Sequence, residues 1–178
     1  MIASGEWLTP TRVCGIVAYG IAATCCAISW ARSRGEYVVT RTAAWLTVIE
    51  GVLLLDIIFN GRWILHQLFI DFAQRRHEYE LRQTPQIIAV AMLAGILLVG
   101  LFAALRLFRA RIGALLAVSG AMLSLFTWCI EVVSLHQIDV VLYQPIGKFM
   151  AVGLVWIAAC TMTSAGILIE SRPANVAS

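Results

Sequence analysis

The sequence predicts an all-α integral membrane protein: a bundle of about five transmembrane helices with one amphipathic helix beside the membrane. Apolar residues make up 61% of the chain and charged residues only 13%, and the mean hydropathy is +0.87. Soluble domains do not have this composition. Apolar runs of about 20 residues recur, the length that a helix needs to cross a hydrocarbon core of about 30 Å. Helices satisfy their own backbone hydrogen bonds in lipid, so the spans are expected to be helical. All 178 residues are expected to belong to a single membrane domain.

Five apolar runs supply the predicted transmembrane helices, and charged residues separate several of them. The first run is ended by Arg32 and Arg34, and a basic turn from Arg106 to Arg111 separates the third run from the fourth. The first run lacks the basic start and the small-residue cleavage site of a signal peptide, so we expect it to be retained as a helix. The predicted spans cover residues 11–31, 42–61, 86–105, 112–135 and 149–169.

A further segment, residues 62–82, has a helical pattern of its own. Polar and charged residues alternate with apolar ones at a spacing that predicts an amphipathic helix. This helix either lies in the membrane interface or extends the second span, and Asn60-Gly61 is a plausible bend between the two. Residues 140–147 contain a proline and a glycine and are too short to span, which predicts an interfacial loop. The apolar positions of the amphipathic pattern are Ile64, Leu65, Leu68, Phe69 and Phe72.

Small residues recur at four-residue spacing within the predicted spans. Close approach of backbones drives helix association in lipid, so these ladders predict internal packing of a bundle. All five cysteines also fall within spans and form no Cys-x-x-Cys pair, which favours packing over a disulfide framework. The ladders are Ala18, Ala22 and Cys26; Gly113, Ala117 and Ala121; and Ala91 and Gly95. The cysteines are Cys14, Cys25, Cys26, Cys129 and Cys160.

Basic residues predict the orientation in the membrane. One side of the predicted bundle receives arginines that are concentrated in short connections, namely Arg32, Arg34, Arg41, Arg106, Arg109, Arg111 and Arg172. The other side receives Arg12, Arg62, Arg75, Arg76, Arg82 and Lys148, several of which are mixed with acidic residues. The positive-inside rule therefore places the N-terminus in the periplasm and the C-terminus in the cytoplasm, in a bacterial inner membrane.

Two carboxylates lie inside the second predicted span. Burying each one costs about 2.5 kcal/mol or more unless it is protonated, paired or near water, so Glu50 and Asp56 require an explanation. Helical periodicity extends a polar face from Asp56 through Asn60 to Gln67, with His66 on its flank, and points Glu50 well away from that face.

A short sequence repeat adds further polar residues at the same predicted membrane surface. Leu-His-Gln occurs at residues 65–67 and 135–137, and Ile-Asp follows it closely in both places. Each repeat follows a predicted span, the second and the fourth, and these two spans cross the membrane in the same direction. The two repeats are therefore expected to be neighbours at one membrane surface. The resulting polar set is Asp56, Arg62, His66, Glu131, His136 and Asp139.

Three chemical hypotheses use this set. His66 and His136 are candidate axial ligands of a haem b, with Arg62, Arg75 or Lys148 near its propionates. The same histidines, with nearby carboxylates, are alternatively a metal site. In the third hypothesis, the acids and histidines form a proton relay, bind a quinone headgroup or serve a small transporter.

A structural interpretation uses the same residues without a ligand. The histidines are then interfacial hydrogen-bonding groups, and Arg62 pairs with Asp56 or Glu131 to neutralise the bundle interior.

Several functional classes lack their sequence motifs. The chain has no phosphate-binding glycine loop, no Gly-x-Ser-x-Gly turn and no His-Glu-x-x-His helix, and its basic residues form no nucleic-acid patch. Short loops leave little chain outside the membrane to carry out chemistry. The sequence therefore favours a non-enzymatic subunit or accessory factor of a larger membrane complex, with the bilayer and other membrane proteins as partners. A redox or metal-binding membrane protein is the alternative.

Overall fold

Five long helices dominate the structure, a computed structural model that describes residues 9–33, 37–75, 83–134 and 136–171. The helices are α1 (Pro10–Arg32), α2 (Tyr37–Phe59), α3 (Gly61–Arg75), α4 (Gln83–Leu107), α5 (Ile112–Val133), α6 (His136–Leu142) and α7 (Ala151–Glu170). Strands β1 (Pro145–Ile146) and β2 (Phe149–Met150) pair antiparallel between α6 and α7. Helices α1, α2, α4, α5 and α7 are each long and apolar enough to cross a membrane. The predicted all-α membrane bundle is confirmed.

The predicted amphipathic helix is α3, and a backbone break separates it from α2. Asn60 adopts a left-handed conformation with φ 57°, which asparagine tolerates better than most residues. Its carbonyl oxygen accepts the N–H groups of Trp63 and Ile64 at 3.1 and 3.3 Å and so starts the new helix. Residues 76–82 of the predicted segment lie outside the described residues.

The break corrects the predicted polar face from Asp56 through Asn60 to Gln67. The prediction of that face requires one continuous helix, whereas α2 ends at Phe59 and α3 begins at Gly61. The side of α3 that carries Ile64 and Leu68 is exposed, as expected for a helix whose apolar face meets lipid.

The fourth predicted span is also shorter than expected. Helix α5 ends at Val133 rather than at residue 135, because Ser134 turns left-handed with φ 51° and donates its N–H to the Ile130 carbonyl. His136 and Asp139 therefore lie on the separate short helix α6. The predicted interfacial loop at 140–147 contains the end of α6 and strand β1, and Gly147 provides the hairpin turn with φ 65°.

Glycines bring α5 and α7 into close contact. A Cβ added to Gly166 would lie 2.6 Å from the Gly113 carbonyl oxygen, and one added to Gly120 would lie 2.6 Å from the Ala159 carbonyl oxygen. The predicted ladder of Gly113, Ala117 and Ala121 lies in this contact, and all three residues are buried. The α5–α7 pair is therefore held by direct backbone approach, as expected for helices packed in lipid.

The remaining spans pack around this pair to different degrees. Helices α1 and α2 pack as a hairpin against α7 and α5. Helix α4 packs mainly on α5, and only 6% of its most apolar stretch is buried. A Cβ on Gly95 of α4 would meet no described atom within 4 Å, so the predicted ladder of Ala91 and Gly95 is not part of a helix contact there.

Candidate functional site

Two groups of polar side chains, buried except for the partly exposed Tyr143, lie inside the bundle. The arginine cluster comprises Arg62, Asp56, Glu131, Tyr143 and Trp156 and lies at the end of the bundle where α2 meets α3. The glutamate cluster comprises Glu50, Tyr19, Ser124 and Cys160 and lies deeper. The two clusters come from α1, α2, α3, α5, α7 and the segment before β1, so residues distant in sequence assemble both.

Arg62 of α3 connects its own helix to three others. Its Nε donates to Oδ2 of Asp56 at 2.7 Å, and its Nη1 forms an ion pair with Oε2 of Glu131. Only 11% of the Arg62 side chain, 9% of the Asp56 side chain and 2% of the Glu131 side chain is exposed. The guanidinium also lies over the Trp156 ring, 5.0 Å from its centroid. One cation thereby joins α2, α3, α5 and α7 at this end.

The second oxygen of Glu131 is bound by a tyrosine. The Tyr143 hydroxyl donates to Oε1 of Glu131 at 3.2 Å. Burial of the phenol, followed by the negative charges of Glu131 and Asp139, raises the pKa of Tyr143 above its usual range. Tyr143 therefore remains a hydrogen-bond donor at physiological pH.

Asp139 lies close to the arginine cluster without touching Arg62. Its Oδ2 accepts the Ser134 hydroxyl, which ties α6 back to the end of α5. Among the described residues its buried Oδ1 has no hydrogen-bond partner.

A second arginine balances the charge at this end. Nε and Nη2 of Arg12 donate to the carbonyl oxygens of Ile57 and Ile58, at 3.0 and 2.9 Å, and so cap the last turn of α2. Carbonyls at a helix C-terminus attract cations. Arg12 and Arg62 together offset the charges of Asp56 and Glu131.

The structure describes only one of the two candidate haem ligands in full. Nδ1 of His66 lies 3.3 Å from the Val132 carbonyl oxygen, and its ring makes a tilted contact with Trp63 at 5.6 Å between centroids. His136 begins α6, but its side chain lies outside the described part of the chain. Within the described residues, no group of three or more His, Cys, Asp or Glu side chains could hold a metal ion. The haem and metal hypotheses remain predictions.

Glu50 lies at the centre of the glutamate cluster with none of its surface exposed. Its Oε2 is 4.0 Å from Sγ of Cys160. The Thr163 hydroxyl also faces this carboxyl, but its single proton is donated to the Ala159 carbonyl at 3.1 Å. Oε1 of Glu50 has no hydrogen-bond partner among the described residues.

Three helices bring polar groups to the same depth. Glu50 lies nine residues before the end of α2, Ser124 nine before the end of α5, and Cys160 nine after the start of α7. At about 1.5 Å of rise per residue, each lies about 13 Å inside the helix end nearest the arginine cluster. This depth is close to the middle of a hydrocarbon core of about 30 Å.

Tyr19 connects the glutamate cluster to the arginine cluster. Its phenol lies beside Ser124 and Cys160 and interacts electrostatically with Glu50 and Arg62. Its ring packs on Trp156 at 6.5 Å between centroids, and Trp156 in turn contacts Arg62. Like Oε1 of Glu50, Oη of Tyr19 and Oγ of Ser124 are buried without a hydrogen-bond partner in the described structure.

Some of these residues are predictable from the sequence and others are not. The structural interpretation of the sequence pairs Arg62 with Asp56 or Glu131, and the structure brings all three together. The sequence marks Glu50 as a buried carboxylate but does not reveal its neighbours, since tyrosine, serine and cysteine in a span carry no sequence signal by themselves.

Comparisons with protein-family models, curated proteins and solved structures find no match for this chain. The fold and the buried clusters define its class as a multi-pass membrane protein with an ionisable interior.

Proposed function

We propose that this membrane protein exchanges protons between Glu50, deep in the bundle, and the surface next to the arginine cluster. A single observation carries the proposal: Glu50 is fully buried, one of its oxygens has no hydrogen-bond partner, and it makes no ion pair with a described residue. Ionisable residues in this situation are rare in membrane spans and mark proton or ion pathways. The geometry thus favours the relay among the hypotheses raised by the sequence.

The resting state follows from the energy of burying charge. An uncompensated carboxylate in an apolar interior is far less stable than the neutral acid, so we expect Glu50 to hold its proton. Arg62 does not neutralise it, because that cation binds Asp56 and Glu131. A neutral acid with polar neighbours is a group that can release and recover a proton.

Hydroxyl and thiol groups near Glu50 mark the route. Only the Cys160 thiol is within reach of the Glu50 carboxyl in the described structure, whereas the Tyr19 and Ser124 hydroxyls make no hydrogen bond in it. Tyr19, Ser124 and Cys160 lie next to Glu50 or to one another, and hydroxyl groups both donate and accept hydrogen bonds. A proton leaving Glu50 passes through these groups to the end of the bundle that contains Tyr143 and Glu131, and returns by the same route. Along this route, Glu50 is the only group whose protonation state differs before and after the transfer.

Infrared spectroscopy of the reconstituted protein tests the proposal, because a protonated carboxyl group has a C=O band that shifts when its proton is exchanged for deuterium. The protein in liposomes is transferred from H2O to D2O, and the rate of the shift is measured. Glu50→Gln keeps the shape of the side chain and removes the titrating group, so we expect the shifting band to be lost. Tyr19→Phe removes one hydroxyl of the route and should slow the exchange.

Thr47→Val is the matched control for this experiment. Thr47 is on the same helix as Glu50, and its hydroxyl donates to the Ala43 carbonyl of that helix at 2.8 Å, away from the route. This variant should exchange at the wild-type rate. A shifting band that persists unchanged in Glu50→Gln, or a Glu50 band that does not shift in D2O, would overturn the proposal.

The cellular location forms part of the proposal. We place the protein in a bacterial inner membrane with the N-terminus in the periplasm and the C-terminus in the cytoplasm. The burial of the Arg62 side chain and the hydrogen bonds of Arg12 to the end of α2 support this orientation, since they leave fewer free cations at the surface of that end. The positive-inside rule then favours the opposite end as cytoplasmic.

A second candidate function is that of a subunit in a larger membrane complex, and the exposure of α4 favours it. Ile96 and Val99 of this helix are 65% and 70% exposed. A photo-crosslinking residue at either position should capture the same membrane protein in cells, whereas one at Val48 on the outer face of α2 should not. Capture of lipid alone from both helices would exclude a stable partner at α4.

A further inference from the structure

A groove lies at the opposite end of the bundle, between the end of α1 and the start of α2. It has a volume of about 370 Å³ and is lined by Trp30, Tyr37, Thr40, Arg41 and Ala44. Trp30 and Tyr37 are 51% and 73% exposed. Tryptophan and tyrosine are enriched at the level of lipid headgroups, where one side of the ring is apolar and the other is polar. The groove therefore opens at the height of the headgroups.

Tyr37 orients the cation in this groove. Nη1 of Arg41 donates to the Tyr37 hydroxyl at 2.9 Å, and the guanidinium lies 5.9 Å from the centre of the Tyr37 ring. A guanidinium has five N–H donors in a planar fork that matches the oxygens of a phosphate. One of its two terminal nitrogens is held by Tyr37, so the fork is positioned before a ligand arrives.

The charge of this end of the bundle suits an anion. The arginines at these helix ends are Arg32, Arg41, Arg106, Arg109 and Arg111. Among the described residues at this end, the acidic side chain is that of Glu170, and it pairs with Arg111 at 3.1 Å. The field at this surface is therefore positive and draws anionic headgroups toward the membrane boundary.

An apolar stripe continues from the groove along α2. Trp45, Val48, Val52 and Leu55 recur at three- and four-residue spacing and are each more than half exposed. Residues at this spacing share one face of a helix. This stripe offers an acyl chain an apolar surface directly below a headgroup that is bound near Arg41.

From these features we propose that the groove binds one anionic glycerophospholipid. Arg41 binds the phosphate, Trp30 and Tyr37 enclose the headgroup, and the acyl chains lie along the α2 stripe. The specificity comes from two parts that must act together, a fixed cation and an apolar track. Free phosphate can contact only the cation, because it has no acyl chain for the apolar track, and it is not retained.

Native mass spectrometry of the detergent-purified protein tests this site. Phosphatidylglycerol, phosphatidylcholine and glycerol 3-phosphate are added separately, and the bound fraction of each is measured. We expect a retained one-to-one complex with phosphatidylglycerol, weaker binding of phosphatidylcholine and no complex with glycerol 3-phosphate. Arg41→Gln should weaken phosphatidylglycerol binding by about fivefold, the factor expected for one basic contact at a membrane surface.

Arg109→Gln is the matched control, because it removes the same charge from an exposed arginine at the same end outside the groove. It should bind phosphatidylglycerol like the wild type. Should Arg41→Gln fail to fold, Tyr37→Phe removes the hydroxyl that orients Arg41 and should weaken binding in the same direction. Equal losses in the Arg41 and Arg109 variants, or equal wild-type binding of both phospholipids, would overturn the proposal.

Discussion

At the residue scale, Arg62 determines how the charged interior of the bundle is neutralised. It contacts two carboxylates that come from different helices and lies against a buried tryptophan. A buried ion pair adds little net stability compared with apolar residues of the same shape, but removing one member leaves charges uncompensated. The arginine cluster is therefore most sensitive to changes that unbalance it.

Replacement of Arg62 tests this balance. Arg62→Leu leaves Asp56 and Glu131 buried without their cation, and we expect a loss of about 3–5 kcal/mol in the free energy of unfolding. Thermal unfolding in detergent measures it. The triple variant Arg62→Leu, Asp56→Asn, Glu131→Gln removes all three charges and should recover much of the lost stability. A single variant that unfolds at the wild-type temperature would contradict the role of Arg62.

Sequence alone could anticipate only part of the residue-scale picture. The burial cost of Asp56 pointed to a nearby cation, and Arg62 follows it closely in the chain. The neighbours of Glu50 could not be predicted, because periodicity gives the face of one helix and not the identity of the helix opposite. Cys160, for example, is separated from Glu50 by 110 positions.

At the element scale, the contact between α5 and α7 depends on glycines that permit backbone contact. Gly166→Ala places a methyl group 2.6 Å from the Gly113 carbonyl oxygen, so the two helices must move apart. Overpacking of this kind costs about 1–3 kcal/mol. Unfolding in detergent should show a clear loss of stability for this variant.

Gly95→Ala on α4 is the control for the glycine substitution. A Cβ at this position meets no described atom within 4 Å, and alanine favours a helix over glycine by about 1 kcal/mol. Gly95→Ala should therefore be neutral or slightly stabilising. If both variants lose the same stability, the effect cannot come from the α5–α7 contact.

The existence of the spans could be predicted better than their ends. Hydropathy located all five long helices, and Asn60-Gly61 marked the bend before α3. The end of α5 is not predictable in the same way, because the sequence from Glu131 to Leu135 stays mostly apolar although Ser134 turns left-handed. Such a turn depends on contacts outside the helix, including the bond from Ser134 to Asp139 and the bonds from Gln86 to the carbonyls of Val133 and Ser134.

At the scale of the whole molecule, the two ends of the bundle differ in how they hold their arginines. One end binds Arg12 and Arg62 inward, and the other exposes Arg41, Arg106 and Arg109. The positive-inside rule predicts that the exposed arginines face the cytoplasm. A fluorescent protein fused to the C-terminus should therefore be fluorescent, whereas alkaline phosphatase fused at the same position should be inactive. The reverse pattern would contradict this orientation.

The contact between Glu50 and Cys160 also affects the order in which the protein can assemble during its synthesis. Translation at roughly 5–20 residues per second takes roughly 5–20 s to cover the 110 positions between them. During that interval the newly made α1–α2 hairpin contains the acid before its partners on α5 and α7 have been synthesised. A truncated chain that ends after α2 should accordingly insert less efficiently than the same chain with Glu50→Leu, as measured by protease protection. We therefore expect the protein to depend most on the insertion machinery of the cell while only this hairpin has been synthesised.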